Sequence, residues 1–235
     1  IPRETLRNNV ETTLGLLEAL RQRKEQDGPP VRLLAIGSCE EYGAPASPEA
    51  RVDEDQLLRP RNPYAVSKAA QTLLCGQYRR AHGIEVLTAR AFTHTGPGQS
   101  DRFAFSSFAR QIAELECNGG GALRVGNLDV TRDVSDVRDV VRVYADLLDV
   151  SWDHEIVNVC SGRQLHLRHG VEILCAKCNA EIEIEVDPER LRPADVPWMV
   201  GDCARLRALL GWTPQIPIEQ TLGVLLDWWR LREAS

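Results

Sequence analysis

Tyr64 and Lys68 stand four residues apart in the run from Asn62 to Lys68, Asn-Pro-Tyr-Ala-Val-Ser-Lys. On a helix, residues at that spacing share a face one turn apart. An unperturbed tyrosine ionises near ~10, and each unit of lowering corresponds to roughly 1.4 kcal/mol of preferential stabilisation of the phenolate. A lysine ammonium one turn away supplies stabilisation of that kind, so the pair is expected to make Tyr64 more acidic. Ser38, at the end of a strand-like apolar run, offers a hydroxyl to hold a reacting oxygen. Together these groups make a proton donor and acceptor for a sugar hydroxyl or ketone near neutral pH.

The flanking residues say how the pair is held. Asn62 is a good N-cap and Pro63 suits the first helical position. Tyr64 then falls in the first turn, where the helix dipole also favours a phenolate. Gly83 is expected to stop this helix after His82, and Ala69, Ala70, Leu73 and Leu74 read as its buried side. Upstream, Leu6, Val10, Leu14, Leu17 and Leu20 recur at helical spacing and predict a helix over 5–23. Its leucines at 14, 16 and 17 lie on more than one side, as a helix needs if it faces both a core and a second subunit. Val31 to Gly37, Ile84 to Phe92 and Glu155 to Cys160 read as buried parallel strands. Further helices are expected over 106–116, 136–150, 167–180, 202–210 and 218–232, with a short strand over 181–186. Residues 44–60 form a Pro-rich loop and 95–98 a turn. Helices alternating with buried strands indicate an α/β fold with a parallel sheet and crossovers. Ligands in such folds bind at the carboxyl ends of the strands, where Ser38, Phe92 to Gly98 and Ser161 fall.

The chain has 235 residues, is 43% hydrophobic and carries a net charge of −6. That length allows one large domain, or one domain with a small lobe. No apolar stretch approaches the ~18 residues that span a bilayer, so no membrane partner is expected. The acidic balance argues against nucleic acid, and a phosphate-bearing ligand would have to meet local arginines. The opening residues are charged and amphipathic rather than a secretory leader. The seven cysteines read as reduced thiols of a cytoplasmic protein. Cys175 and Cys178, with His166 and His169 upstream, make a lone Cys-x-x-Cys. A helix through that segment would scatter four tetrahedral ligands, so no metal site is expected.

Several segments together resemble the extended short-chain dehydrogenase/reductase family, the NAD-dependent epimerase/dehydratases, in its nucleotide-sugar branch. They are Gly37 to Gly43, Asn62 to Lys68, Arg90 to Gly98, Thr131 to Val141, Arg192 to Pro197 and Gly211 to Pro214. The stretch His94 to Gln99 and the Arg192 motif resemble the members acting on GDP sugars more than the UDP-sugar epimerases. The resemblance implies a Rossmann-like parallel sheet with a small C-terminal substrate lobe. Residues 1–95 and 131–162 would belong to the NAD(P)-binding domain, and 96–130 and 163–235 to the lobe. It implies an oxidoreductase reducing a GDP-4-keto-6-deoxy-hexose at C4 with NADP or NAD. Tyr64 would exchange a proton with the C4 oxygen, Lys68 would hold the cofactor ribose, and Ser38 would bind the C4 oxygen. Glu40 matches an acid/base position of the dehydratases, and His94 a cofactor contact. Cys39 and Thr93 would border the sugar, while Arg132, Arg192 and Asp195 would hold the GDP. Guanidinium forks suit a diphosphate. The family also implies a homodimer formed through a bundle of the helices at 5–23 and 64–82.

Departures from the pattern keep two other readings open: 4,6-dehydration of GDP-mannose, and sugar-nucleotide binding without catalysis. Thr93 stands where the family usually has Asn, and Cys39 where some dehydratases have an acid. Cys39 also reads as a small filler at a strand end. The family's glycine-rich phosphate loop is expected about 70 residues upstream of Ile1. Without the strands it belongs to, the run Val31 to Gly37 would expose an apolar edge. The expectation is therefore a longer protein, or another segment over that edge.

Overall fold

The computed structural model describes residues 2–47, 49–191 and 196–233, and its fold is α/β. In chain order the elements are α1 (Pro2–Leu6), a π-helical stretch (Arg7–Glu11) and α2 (Thr12–Glu25), then β1 (Arg32–Ser38), β2 (Arg51–Val52), α3 (Pro63–His82), β3 (Glu85–Ala91), β4 (Thr93–Thr95) and α4 (Ala104–Cys117). There follow β5 (Gly121–Val125), β6 (Thr131–Asp136), α5 (Val137–Asp149), β7 (Ile156–Val159), β8 (Gln164–His166), α6 (Leu167–Cys175), β9 (Ile182–Val186), β10 (Trp198–Gly201), α7 (Ala204–Leu210) and α8 (Ile218–Glu233).

The three apolar runs become β1, β3 and β7, a parallel sheet in the order β1-β3-β7. Successive strand residues face opposite ways. On β3, Val86 packs with Leu17, Cys75 and Tyr78 of α2 and α3, while Leu87 packs with Val143 and Leu147 of α5. Helices therefore cover both faces of this sheet. Among the described residues no strand pairs with the outer edge of β1. A second sheet, β2-β10-β6-β4, carries β8 antiparallel on β6, and β5 pairs in parallel with β9. A separate core of Phe105, Phe108, Leu123, Val171, Leu222 and Leu225 joins α4, β5, α6 and α8. No helix of the described residues is long and apolar enough to cross a membrane.

α3 begins and ends as its sequence requires. The Asn62 side chain accepts from the Ala65 N–H at 2.8 Å, and Gly83 closes the helix at φ 59°, in the left-handed region that glycine enters without a Cβ clash. Its buried face agrees with the expected one only in part: Ala69 is buried and Leu74 packs on the core, but Leu73 does not. Ala65, Ala69, Thr72 and Gly76 are buried, whereas Leu73 is 63% exposed. Small and polar residues let the helix approach the sheet, and the bulkier leucine is left outside. The sequence also hid β2, β4, β5, β6, β8 and β10, and extended α6 beyond its end at Cys175, so that Cys178 lies beyond the helix.

Candidate active site

The chain leaves β1 through a tight 3-10 turn, Cys39–Tyr42, and Ser38 caps it. The Ser38 hydroxyl accepts from the Glu40 N–H at 3.2 Å, and the Glu41 carboxylate accepts from the Ser38 N–H at 2.8 Å. This reciprocal capping box holds the serine at the carboxyl end of its strand. Tyr64 lies in the first turn of α3 with its side of the ring open, 40% exposed. The Ser38 hydroxyl is near enough to act on its ionisation. Lys68 lies 6.0 Å from the centre of the Tyr64 ring and donates to the Ile36 carbonyl at 2.8 Å and to Gln71 Oε1 at 3.1 Å. Glu40 is exposed beside them, and Asn62 donates to its Oε2 at 2.7 Å. Ser38, Glu40, Tyr64 and Lys68 thus form one cluster at the end of β1.

The electrostatics correct one expectation. Burial, and after it the negative charge of Glu40, pushes the Tyr64 hydroxyl above its ordinary value, with the Ser38 hydrogen bond opposing. Lys68 does not make the phenol acidic here, because its donors face Ile36 and Gln71 rather than the phenolic oxygen. Burial in turn lowers Lys68, and the Glu41 charge opposes it. In this state Tyr64 is held as a proton donor, the form that a ketone reduction starts from.

The remaining candidates divide. Cys39 is buried in the core against the first sheet, and burial pushes its thiol up to about 12, so it behaves as packing. The charge of Arg132 acts on Cys39, and its Nη1 donates to the Thr131 carbonyl at 2.9 Å. Thr93 and His94 lie half-buried on β4, in register with Val134 and Ser135 of β6, and His94 Nδ1 is 3.0 Å from the Phe92 carbonyl. The strand carrying Arg132 therefore runs beside the one carrying Thr93 and His94. Arg192 and Asp195 lie outside the described residues.

Spacing gave no sign of two buried carboxylates behind this cluster. Glu41, 0% exposed, pairs with Arg90, 2% exposed, at 2.8 Å, although 49 residues separate them. The one available signal was Arg90 itself, a charge inside the apolar run Ile84 to Phe92, since a buried charge demands a partner. Asp133, also fully buried, accepts from the Ser161 N–H and hydroxyl and from the Gly162 N–H at 2.7–2.8 Å.

Comparison with known proteins places this geometry in a family. The model of the GDP-mannose 4,6 dehydratase family matches residues 1–224. The chain is 41% identical over 232 residues to a GDP-6-deoxy-D-mannose reductase of Pseudomonas aeruginosa, covering 98% of this chain and 75% of that protein. It is 28% identical over 215 residues to GDP-mannose 4,6 dehydratase 2 of Arabidopsis thaliana, covering 91% of this chain but only 57% of that protein. Among solved structures, RMD from Pseudomonas aeruginosa complexed with NADPH superposes with a TM-score of 0.90 at 40% identity, over 98% of this chain and 76% of that one.

Proposed function

This chain belongs to the GDP-mannose 4,6-dehydratase family, and from that premise we propose that it is the greater part of an NAD(P)-dependent nucleotide-sugar oxidoreductase that reduces a GDP-4-keto-6-deoxy-hexose at C4. The observation that carries the reading is the cluster of Ser38, Tyr64, Lys68 and Glu40 at the carboxyl end of a parallel strand, with the Tyr64 hydroxyl raised above its ordinary value.

The residues present fit a nicotinamide nucleotide. Lys68 has three N–H donors, of which two meet Ile36 and Gln71, and the third suits a ribose hydroxyl. His94, half-buried on β4, suits a second contact. The cofactor, when bound, supplies hydride to the sugar carbon. Ser38 and Tyr64 would both donate to the C4 oxygen and polarise the ketone. As negative charge grows on that oxygen, Tyr64 passes its proton to it. Arg132, Arg192 and Asp195 would hold the GDP portion, with the arginines on the diphosphate. Thr93 would border the sugar, with Cys39 packing behind the site.

Dehydration of GDP-mannose is the second reading, and the exposed Glu40 favours it. Its carboxylate lies close enough to raise the Tyr64 hydroxyl and is tied down by Asn62, so it could carry a proton at C5. One experiment separates the two. A reductase consumes reduced cofactor in step with product, and a dehydratase does not. Stoichiometric NADPH or NADH oxidation with the 4-keto sugar supports the first reading; turnover of GDP-mannose without net cofactor change overturns it.

Residues 1–95 and 131–162 are taken as the cofactor-binding domain and 96–130 and 163–235 as the substrate lobe; the core of Phe105, Leu123, Val171 and Leu222 fits that lobe, while Met199, Cys203, Leu206 and Trp212 pack into the core of the cofactor-binding part. A cytoplasmic homodimer completes the reading. The exposed Leu14, Leu16, Val66 and Leu73 on α2 and α3 support the proposed helix bundle.

A further inference from the structure

Glu41 touches three elements and enters no proton transfer described above. Its carboxylate accepts from the Ser38 N–H at the end of β1, from the Thr72 hydroxyl of α3 and from Arg90 Nε of β3, each at 2.8 Å. Thr72 is one turn beyond Lys68 and two beyond Tyr64, on the same helix face. Arg90 pairs with Gly37 across the β1–β3 ladder. A Cβ at Gly37 would lie 2.6 Å from the Glu41 carboxylate, so only glycine lets the acid settle against the strand. The Tyr42 ring covers the Arg90 guanidinium at 4.6 Å, and the Tyr42 hydroxyl donates to Asn158 at 2.7 Å.

Burying such an ion pair is a poor way to stabilise a fold, because desolvation offsets the attraction and apolar replacements often do as well. A pair kept under those terms, with every bond directed at an element of the site, has a geometric use. We propose that Glu41, braced by Arg90, is the positioning residue of this site: it sets the distance between the Ser38 hydroxyl and the α3 face that bears Tyr64 and Lys68. This rests on the reading of Ser38 and Tyr64 given above. The Glu41 charge also acts on Lys68 against the effect of burial, consistent with its place behind the ammonium.

The test uses the intact protein, NADPH or NADH, and a GDP-4-keto-6-deoxy-hexose. Thr72→Val removes one of the three donors without adding charge, and Thr72→Ser restores it. The Val variant is expected to lose kcat by about tenfold with KM within about twofold, since misplacement of catalytic groups by less than an ångström acts on the chemical step. The Ser variant is expected to recover it. The double variant Glu41→Leu/Arg90→Met removes both charges together and is expected to fold, with kcat reduced by about 100-fold. Wild-type kcat in a folded double variant, or a Thr72→Val effect confined to melting temperature, overturns the proposal. Ser38→Ala serves as the control. Unchanged turnover there would bring down the reading of the site itself, whereas a lowered turnover beside active Glu41 and Thr72 variants would bring down only the positioning role.

Discussion

The Asn62 side-chain N–H donates to the Glu40 carboxylate at 2.7 Å, while the oxygen of the same amide accepts from the Ala65 N–H at 2.8 Å. One side chain therefore joins the turn that bears Glu40 to the helix that bears Tyr64. The cap is the part that stabilises, and the tie to Glu40 is the part that aligns.

Substitution can separate those parts. Asn62→Ala removes both and is expected to lower stability by about 1 kcal/mol, the usual worth of an N-cap. Asn62→Ser keeps a capping oxygen but is too short to reach Glu40. Its stability should return to near wild type while turnover stays about tenfold low, as for a misaligned site. Urea unfolding midpoints and steady-state rates measure the two effects. Full turnover in the Ser variant would show that the Glu40 tie is idle.

Tyr64 should titrate late. Burial and the Glu40 charge both raise its hydroxyl above the ordinary 10, so phenolate absorbance from Tyr64 should appear at higher pH than from a free tyrosine. A raised value means that the folded state holds this proton more tightly than the unfolded one. Its contribution to stability is present below the ordinary value and lost as pH climbs through the folded one. Glu40→Gln removes the second cause, so its Tyr64 should titrate at lower pH than in the wild type. The signal is the absorbance difference between each protein and its Tyr64→Phe partner. An upward shift in Glu40→Gln would contradict the arrangement.

The parts of the fold that could be read from sequence are those held by apolar contact or by local caps. β1, β3 and β7 are runs of aliphatic residues, and α3 is bounded by Asn62, Pro63 and Gly83, all within its own segment. β6 reads Thr-Arg-Asp-Val-Ser-Asp and looks like a loop, yet Asp133, Ser135 and Asp136 are buried on it. Its two buried carboxylates reach residues far along the chain: Asp133 meets Ser161 and Gly162, and Asp136 meets Thr221 as well as the nearby Arg138. The same distance hid the Glu41–Arg90 pair. The placing of Tyr64, Lys68, Ser38 and Glu40 was legible because Ser38 and Glu40 share one strand–turn and Tyr64 and Lys68 the first turns of one helix. The sign of the Tyr64 shift was not, because it depends on burial and on where the Lys68 donors point.

Thiol chemistry should follow burial. Cys117 is exposed at the end of α4, whereas Cys39, Cys75, Cys160 and Cys203 are buried. Burial also pushes the thiols of Cys39 and Cys75 up, to about 12 and about 11, which leaves little thiolate to react. Brief alkylation of the native protein near pH 8, followed by peptide mass analysis, should label Cys117 first and leave Cys39 and Cys75 unmodified until denaturant is added. Early labelling of Cys39 would show that it opens toward solvent in the site rather than packing behind it.

Asp133 is the substitution expected to do most harm away from the reacting groups. Burial raises its carboxyl above the ordinary value, and hydrogen bonds from Ser161, Gly162 and Gly201 oppose that. Those donors fix the turn after β7, where Gly162 takes φ 71°, and they fix it against the strand of Arg132. Asp133→Ala would leave at least two backbone N–H groups buried without acceptors, at a cost of about 3 kcal/mol in unfolding free energy. Asp133→Asn discriminates further. An amide has one accepting oxygen, and its NH₂ would meet N–H donors where the second carboxylate oxygen now stands. It should therefore be nearly as unstable as Ala, although Asn has almost the same shape as Asp and Ala does not. Wild-type stability of Asp133→Asn in urea would mean that a single oxygen suffices and that the turn is held by other contacts.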